Sequence, residues 1–312
     1  MLATAPILSR DGVTEWRHAT GRAASVAVVG GNFDILHPGN LSALRQAATL
    51  GAVCVLINDL PTPDDATSHV PQNTGAVRAE LLACLSLVGA VSVVSTGAAL
   101  ARCLRDLQPF TWVGCLEREA GQPLSDAIRA AASQHCDLPR LQGCSGDEIR
   151  QALRAQHTPI PVSSAAFPPV SGGGSAASLR PLVTVNGCFD ILHIGHARFL
   201  AAARAHGASL TVLINSDASV RHYKGPTRPV FPQFFRAAVL RALRAVDEVR
   251  VFDGDNPLVA LSLLQPAVHV KGGSFEPERV AEERNLLATW GGQLVTTPLV
   301  EGFSTTAWVK RA

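Results

Sequence analysis

The sequence lacks long hydrophobic segments and carries almost no net charge. No apolar run among its 312 residues approaches the ~18 needed to span a bilayer. Charged residues interrupt the first 24 positions, where a signal peptide would have an apolar core. A formal net charge of +2 argues against a nucleic-acid binder, and 47% hydrophobic residues argue against disorder. We expect a cytoplasmic globular protein of two domains, without membrane or nucleic-acid partners.

The sequence also lacks closely spaced cysteine pairs and has few lysines. The seven cysteines are scattered, with no Cys-x-x-Cys pair, which favours small buried side chains over disulfides or zinc ligands. Only three of the 27 basic residues are lysines, namely Lys224, Lys271 and Lys310. The first two lie next to glycines in loop-like motifs. Because a compact ammonium reaches a phosphate as a point charge that guanidinium does not replace, we interpret Lys224 and Lys271 as phosphate-binding.

An internal repeat divides the chain. Residues 26–37 read VAVVGGNFDILH and residues 182–193 read LVTVNGCFDILH, so the pentapeptide FDILH recurs unchanged. The likeness continues further along both copies. We therefore predict two copies of one domain, over 24–155 and 181–312. The segment 156–180 is rich in proline, glycine and serine and is predicted to be a linker.

The second copy alternates short β-rich runs with helical stretches. Strands are predicted at 182–185, 210–214, 248–252, 267–270 and 293–296, and helices at 196–206, 234–245 and 277–290, the first of them capped by Gly207. This alternation is typical of βαβ units around a parallel sheet, with ligands at the carboxyl ends of the strands. The predicted fold class is α/β, with two tandem Rossmann-like domains, each a parallel sheet flanked by helices.

The motif NGCFDILHIGH over 186–196 carries the strongest chemical signal. It lies where the first strand of the copy ends and a helix begins, and it sets His193 and His196 three residues apart. A helix N-terminus favours phosphate through its free N–H groups and its dipole. Imidazoles that donate hydrogen bonds there would stabilise charge that develops on a phosphoryl group. The competing interpretation is a turn whose polar groups are already satisfied.

A hydroxyl-rich motif, EGFSTTAW, covers residues 301–308 near the C-terminus. Ser304, Thr305 and Thr306 stand at the start of a predicted last helix. Ser304 suits an N-cap, and the same hydroxyls suit phosphate binding. The two interpretations remain open from the residues alone.

Taken together, these motifs resemble the cytidylyltransferase-like nucleotidyltransferase superfamily, whose signature is His-x-Gly-His after the first strand of a Rossmann-like domain. NSDAS from Asn215, KGPTRPV from Lys224, VKGG from Val270 and EGFSTT from Glu301 are similar in order and spacing to the adenylyltransferase domain of bacterial ADP-heptose synthase. The resemblance implies transfer of AMP from ATP, with Mg²⁺, to D-glycero-β-D-manno-heptose 1-phosphate, a sugar 1-phosphate, and release of pyrophosphate. No protein ligand for the metal is predicted.

The resemblance also implies roles for single residues. His193, His196 and Lys224 are predicted to be catalytic. Nucleotide or phosphate binding is predicted for Asn186, Gly187, Phe189, Asp190, Gly195, Lys271, Gly272, Ser304, Thr305 and Thr306. Substrate contacts are predicted for Asp217, Arg228 and Arg236. The chain departs from the family at Phe234-Phe235, where a polar pair is usual before the arginine, and in having a second transferase copy where the family enzyme carries a sugar kinase.

The first copy has lost the chemistry-bearing groups. By alignment, Asn40 replaces the second histidine, Gly114 replaces Lys271, and residues 145–147 (SGD) replace the three hydroxyl residues. No lysine occurs in residues 1–180. We expect a degenerate, non-catalytic copy that packs against the second as an intramolecular pseudo-dimer.

Two alternatives remain, one within the same enzyme class and one from a different class. One is a cytidylyltransferase that uses CTP on glycerol 3-phosphate or phosphoethanolamine, and it differs in the nucleotide consumed. The other is a nucleotide-binding protein without turnover, which predicts binding without pyrophosphate release.

Overall fold

The structure is a computed structural model. It describes residues 3–9, 11–21, 23–59, 71–115, 123–139, 141, 146–154, 160, 181–273, 277–298 and 303. The chain divides into two compact units, one spanning Thr4–Glu148 and the other containing Ile149–Ala312. Each is an α/β structure with a parallel sheet flanked by helices. Within the described residues, no helix is both long and apolar enough to cross a membrane.

The first unit is built on a six-stranded parallel sheet of order β1-β4-β3-β2-β5-β6. Its elements are β1 (Ile7–Leu8), α1 (Gly12–Thr20), β2 (Val26–Gly31), α2 (Pro38–Leu50), β3 (Ala52–Asn58), α3 (Gly75–Ala83), β4 (Ala90–Val94), α4 (Gly97–Leu107), β5 (Thr111–Cys115), α5 (Pro123–Ala131) and β6 (Gln134–Leu138). The helix α6 (Gly146–Arg154) follows and crosses the division between the units. Because β1 pairs with β4, the sheet takes in residues ahead of position 24, where the first domain was predicted to begin.

The second unit has a five-stranded parallel sheet of order β11-β10-β7-β8-β9. Its elements are β7 (Leu182–Gly187), α7 (Ile194–Arg204), β8 (Ser209–Asn215), α8 (Asp217–Lys224), α9 (Gln233–Arg241), β9 (Glu248–Phe252), α10 (Leu258–Leu264), β10 (Val268–Gly272), a 3₁₀ turn (Pro277–Val280), α11 (Ala281–Ala288) and β11 (Gln293–Thr297). All five predicted strands are present. The predicted cap at Gly207 is wrong, because α7 ends at Arg204 and its C-cap is Ala205. The helix α8 was not predicted.

The burial of the strands explains why they could be predicted from apolar runs in the sequence. The strands β2 and β8 are buried along their whole length, as expected for parallel strands covered by helices on both faces. Such strands read as continuous runs of β-branched and apolar residues, which is the pattern of both copies.

The two sheets share one order for five strands, β6-β5-β2-β3-β4 in the first and β11-β10-β7-β8-β9 in the second. Thr111 pairs with Ala27 in the first sheet, and Val268 pairs with Val183 in the second. Gly114 and Lys271 each lie three residues further along their strands. The strand register therefore confirms that Gly114 takes the position of Lys271.

A buried histidine is part of the second sheet. His269 lies beside Thr184 across β10 and β7, and its Nδ1 is 2.8 Å from the threonine Oγ1. Burial lowers the pKa of His269 from 6.5 to about 3. The imidazole is therefore neutral in the folded protein at pH 7. In the first unit the same register pairs Val28 with Trp112.

This histidine makes stability depend on pH. Between its unfolded pKa of 6.5 and its folded pKa of about 3, only the unfolded chain binds the proton, so stability falls as pH falls through this window. By pH 5 we expect His269 to contribute a loss of about 2 kcal/mol relative to pH 7. Urea unfolding at both pH values should show that loss reduced in the double variant His269→Leu/Thr184→Val. Exchanging the exposed His206 for Gln should leave it unchanged, and equal losses in all three proteins would contradict the assignment.

Candidate active site

The loop after β7 is fixed by a buried carboxylate. Phe189 has a positive φ of 47°, and the next residue, Asp190, is buried. The Oδ1 of Asp190 accepts hydrogen bonds from the backbone N–H groups of Val230 and Phe231, at 2.7 and 3.0 Å. Its Oδ2 accepts one from Arg228 at 2.8 Å. Both carboxylate oxygens are engaged within the protein, so Asp190 orders the loop that carries the histidines. Asp190 was predicted to bind the nucleotide, and the structure gives it this supporting role instead.

A buried arginine ties the carboxyl ends of two strands together. Arg236 on α9 has a side chain that is 0% exposed. It donates to the carbonyl oxygens of Phe231, Cys188 and Asn215 at 3.0, 2.6 and 2.8 Å, and to Asp217 Oδ1 at 2.8 Å. The predicted substrate contact of Arg236 is therefore corrected, because a guanidinium closed off by main-chain acceptors cannot reach a substrate. Asp217, predicted beside it, is the counter-ion of Arg236 and keeps 22% of its side chain exposed.

The two histidines of the motif lie together at the start of α7. His193 is the N-cap, and its Nδ1 accepts the backbone N–H of His196 at 3.3 Å. The two rings are stacked, with centroids 3.7 Å apart and planes inclined by 17°. Because Nδ1 of neutral His193 is an acceptor, its proton lies on Nε2. The ring of Phe189 meets His196 edge-on at 5.2 Å, so this predicted nucleotide-binding residue supports a histidine.

Both imidazoles are held in the neutral form. Burial lowers the pKa of His193 to about 4. The pKa of His196 is lowered well below 6.5, chiefly by burial and then by the unfavourable interaction of a second positive charge with a protonated His193 and with Lys224. At neutral pH the Nε2–H of His193 is a hydrogen-bond donor that an approaching phosphate can use. Lys224 is the last residue of α8 and its side chain is exposed.

Lys271 and Asn186 meet at the carboxyl ends of β10 and β7. The Nζ of Lys271 donates to Asn186 Oδ1 at 3.2 Å and to Glu283 Oε1 at 2.7 Å. The lysine side chain is 14% exposed. Lys271 and Asn186 were predicted from sequence, whereas Glu283 was missed. Its only sequence signal is the pair Glu282-Glu283, which does not say which carboxylate faces the strand.

Two of the predicted glycines allow close approach. A Cβ added at Gly195 would lie 3.1 Å from both His193 Nδ1 and Phe303 Cβ, and one added at Gly187 would lie 3.0 Å from the Phe189 ring. Phe303 also faces His193, with ring centroids 6.4 Å apart. The residue before the predicted hydroxyl motif is thus next to the histidines. Ser304, Thr305 and Thr306 themselves lie outside the described residues, and Gly272 ends β10 opposite Thr297.

The first unit keeps the same scaffold. Phe33 also has a positive φ, 54°, and Asp34 accepts the backbone N–H groups of Gln72 and Asn73 at 2.9 and 3.0 Å. Arg78 is buried like Arg236. It donates to three main-chain carbonyls and one carboxylate, which belong to Asn32, Asn58, Asn73 and Asp59.

The chemical groups of the first unit differ. His37 caps α2, and Asn40 closes the capping box by accepting the backbone N–H of His37 at 3.3 Å. At the position of Lys271, a Cβ on Gly114 would overlap the indole of Trp112. Trp112 is 3% exposed and belongs to the core. An aromatic ring thus fills the space into which a lysine at this position would project.

Comparison with known proteins shows that part of the second unit is similar to one family. Residues 184–310 match the cytidylyltransferase-like family. This part of the chain is therefore similar to cytidylyltransferase-like nucleotidyltransferase domains.

Curated relatives with similar sequences are bifunctional HldE proteins. The bifunctional protein HldE of Hyphomonas neptunium is 41% identical over 201 residues, which cover 62% of this chain and 40% of the relative. HldE of Streptomyces coelicolor is 49% identical over 144 residues, 45% of this chain and 31% of the relative. HldE of Rhodopseudomonas palustris is 50% identical over 127 residues, which cover 41% of this chain and 26% of the relative. The chain thus matches less than half the length of each of these three relatives.

Proposed function

We propose that the second unit transfers AMP from ATP to a sugar 1-phosphate, D-glycero-β-D-manno-heptose 1-phosphate, and forms ADP-heptose and pyrophosphate. The observation that carries the proposal is the stacked pair of neutral histidines at the start of α7. The likeness of this part of the chain to HldE proteins supports the choice of nucleotide and acceptor.

The reaction is an in-line displacement without a covalent enzyme intermediate. An oxygen of the sugar phosphate attacks the α-phosphorus of ATP and forms a new P–O bond. The bond between the α-phosphorus and the oxygen that bridges it to the β-phosphate breaks. Pyrophosphate leaves with that electron pair. As in other phosphoryl transfers, the protein positions the reactants and stabilises developing charge.

The residues divide this work by position. His193 Nε2–H and the ring of His196 donate hydrogen bonds to the phosphate at the helix start, where the dipole of α7 adds to them. Lys224 and Lys271 neutralise the triphosphate as point charges. The hydroxyls of Ser304, Thr305 and Thr306 complete the set by binding the outer phosphates. Arg228 pairs with Asp190 and keeps 16% of its side chain exposed, and we propose that it contacts substrate.

Mg²⁺ enters as part of the ATP substrate. The described residues contain no group of three or more His, Cys, Asp or Glu side chains that would form a cage. Mg²⁺ commonly keeps several waters and binds through substrate phosphates, so such a cage is not required here.

The first unit is proposed to be a non-catalytic copy. Its turn and buried arginine are retained, while a helix-capping amide replaces the second histidine and an indole fills the lysine position. Its pairing with the second unit as a pseudo-dimer remains a prediction.

The proposal is tested by pyrophosphate release from the purified protein with Mg²⁺. ATP and CTP are offered in parallel, each with heptose 1-phosphate, glycerol 3-phosphate or phosphoethanolamine. We expect release with ATP and heptose 1-phosphate alone. Release with CTP and either of the other acceptors would replace the proposal by the cytidylyltransferase alternative, and nucleotide binding without release from any pair would replace it by the non-catalytic one.

A further inference from the structure

The partner of Lys271 on α11 is an unusual carboxylate. Glu283 is 7% exposed and is one of the few buried charged residues of the second unit. Its Oε1 accepts from Lys271 at 2.7 Å, whereas its Oε2 is buried and, among the described residues, has no hydrogen-bond partner. The neighbouring Glu282 is exposed. A buried carboxylate with one unpaired oxygen is costly, so Glu283 is poorly explained as a stabilising ion pair alone.

The contacts of Lys271 indicate what Glu283 does besides forming an ion pair. The ammonium of Lys271 is held between Asn186 on β7 and Glu283 on α11, two acceptors from different elements. An ammonium on a flexible four-carbon stem otherwise samples many directions. These two acceptors hold the ammonium at the carboxyl end of the sheet, where ligands of such folds bind.

We infer that Glu283 is a positioning residue, which holds the ammonium of Lys271 against Asn186 so that its charge is already in place when the nucleotide triphosphate binds. This inference rests on the proposed function only in taking the triphosphate as the ligand. Glu283 does not touch the phosphates and acts through Lys271. Because the lysine binds the triphosphate before and during transfer alike, its loss of order weakens binding more than it slows the chemical step.

The test compares Glu283→Gln with the matched variant Glu282→Gln on the same helix. Glu283→Gln keeps the shape and one acceptor but removes the charge. We expect the Kd of ATP, measured by calorimetry without acceptor, and the KM for ATP to rise about tenfold, while kcat stays within about threefold of wild type. Glu282→Gln should leave Kd, KM and kcat unchanged. Thermal unfolding of each variant shows that the comparison is made on folded protein.

A double-mutant cycle separates positioning from general stability. If Glu283 acts through Lys271, Lys271→Met/Glu283→Gln binds ATP no more weakly than Lys271→Met alone. Additive losses would overturn the inference, as would unchanged or tighter binding in Glu283→Gln. Should Glu283→Gln fold poorly, Glu283→Asp gives the same cycle with the charge retained but withdrawn, and additive losses in that cycle would overturn the inference equally.

The two proposals fail in different ways. If the wild type binds ATP but releases no pyrophosphate, the proposed reaction is lost while the binding cycle still decides the role of Glu283. If the wild type releases pyrophosphate and Glu283→Gln binds ATP as the wild type does, only the inference about Glu283 is lost.

Discussion

Replacing His196 by Asn is expected to reduce the rate of pyrophosphate release by about 10²–10³-fold, the usual effect of removing one donor to developing phosphoryl charge. The substitution gives α7 the residue that stands at the equivalent position of α2 in the first unit, where Asn40 and the N-cap His37 form a satisfied capping box. The helix start should therefore remain folded while the second imidazole donor is gone. The measurement is kcat for pyrophosphate release, together with thermal unfolding.

The reciprocal substitution is the control. Asn40→His in the first unit introduces the missing imidazole, but the Gly114 position is still filled by Trp112. We expect no gain in activity and a kcat equal to that of the wild type. A His196→Asn variant that keeps at least a third of the wild-type rate would contradict the role given to the histidine pair.

Replacing Arg236 by Met is expected to destabilise the second unit by about 3–5 kcal/mol, as when one partner of a buried charged network is removed. Three main-chain carbonyls and Asp217 lose their donor. Buried acceptors left unpaired are penalised in full, and the methionine restores only part of the volume. Urea unfolding followed by hydrogen exchange of peptides from residues 181–273 reports on this unit separately from the first.

Two further arginine variants bracket that result. Arg78→Met, which removes the matching network of the first unit, should destabilise that unit to a similar degree. Arg250→Met removes a pair with Glu248 in which the arginine side chain is 42% exposed, and it should change stability by less than about 1 kcal/mol. If Arg236→Met were as mild as Arg250→Met, Arg236 would not hold the site together.

The sequence predicted the strands because their apolar runs report directly on burial in a parallel sheet. It also predicted the alignment of Gly114 with Lys271, since that follows from counting residues along repeated strands. Arg236 shows the limit of such reasoning. An arginine in a motif suggests a ligand, and only the packing of α9 against two strand ends reveals that its acceptors are main-chain carbonyls.

Three other features depend on side-chain directions that the sequence does not reveal. Phe235, where the family usually has a polar residue, is 1% exposed and packs on Phe231 with ring centroids 4.8 Å apart, so this departure fills the core. The overlap of Trp112 with the Gly114 position arises from a side-chain direction within one strand. Glu283 faces Lys271 because of the rotation of α11, which the pair Glu282-Glu283 does not encode. None of these contacts has a local sequence pattern.

The most direct test of the central claim follows the α-phosphorus of ATP. The protein is incubated with Mg²⁺, heptose 1-phosphate and ATP labelled at the α-phosphate, and the products are separated. We expect the label in ADP-heptose, with one pyrophosphate released for each sugar nucleotide formed. Label in free AMP with the sugar phosphate unchanged, or label that stays in bound ATP, would contradict the account.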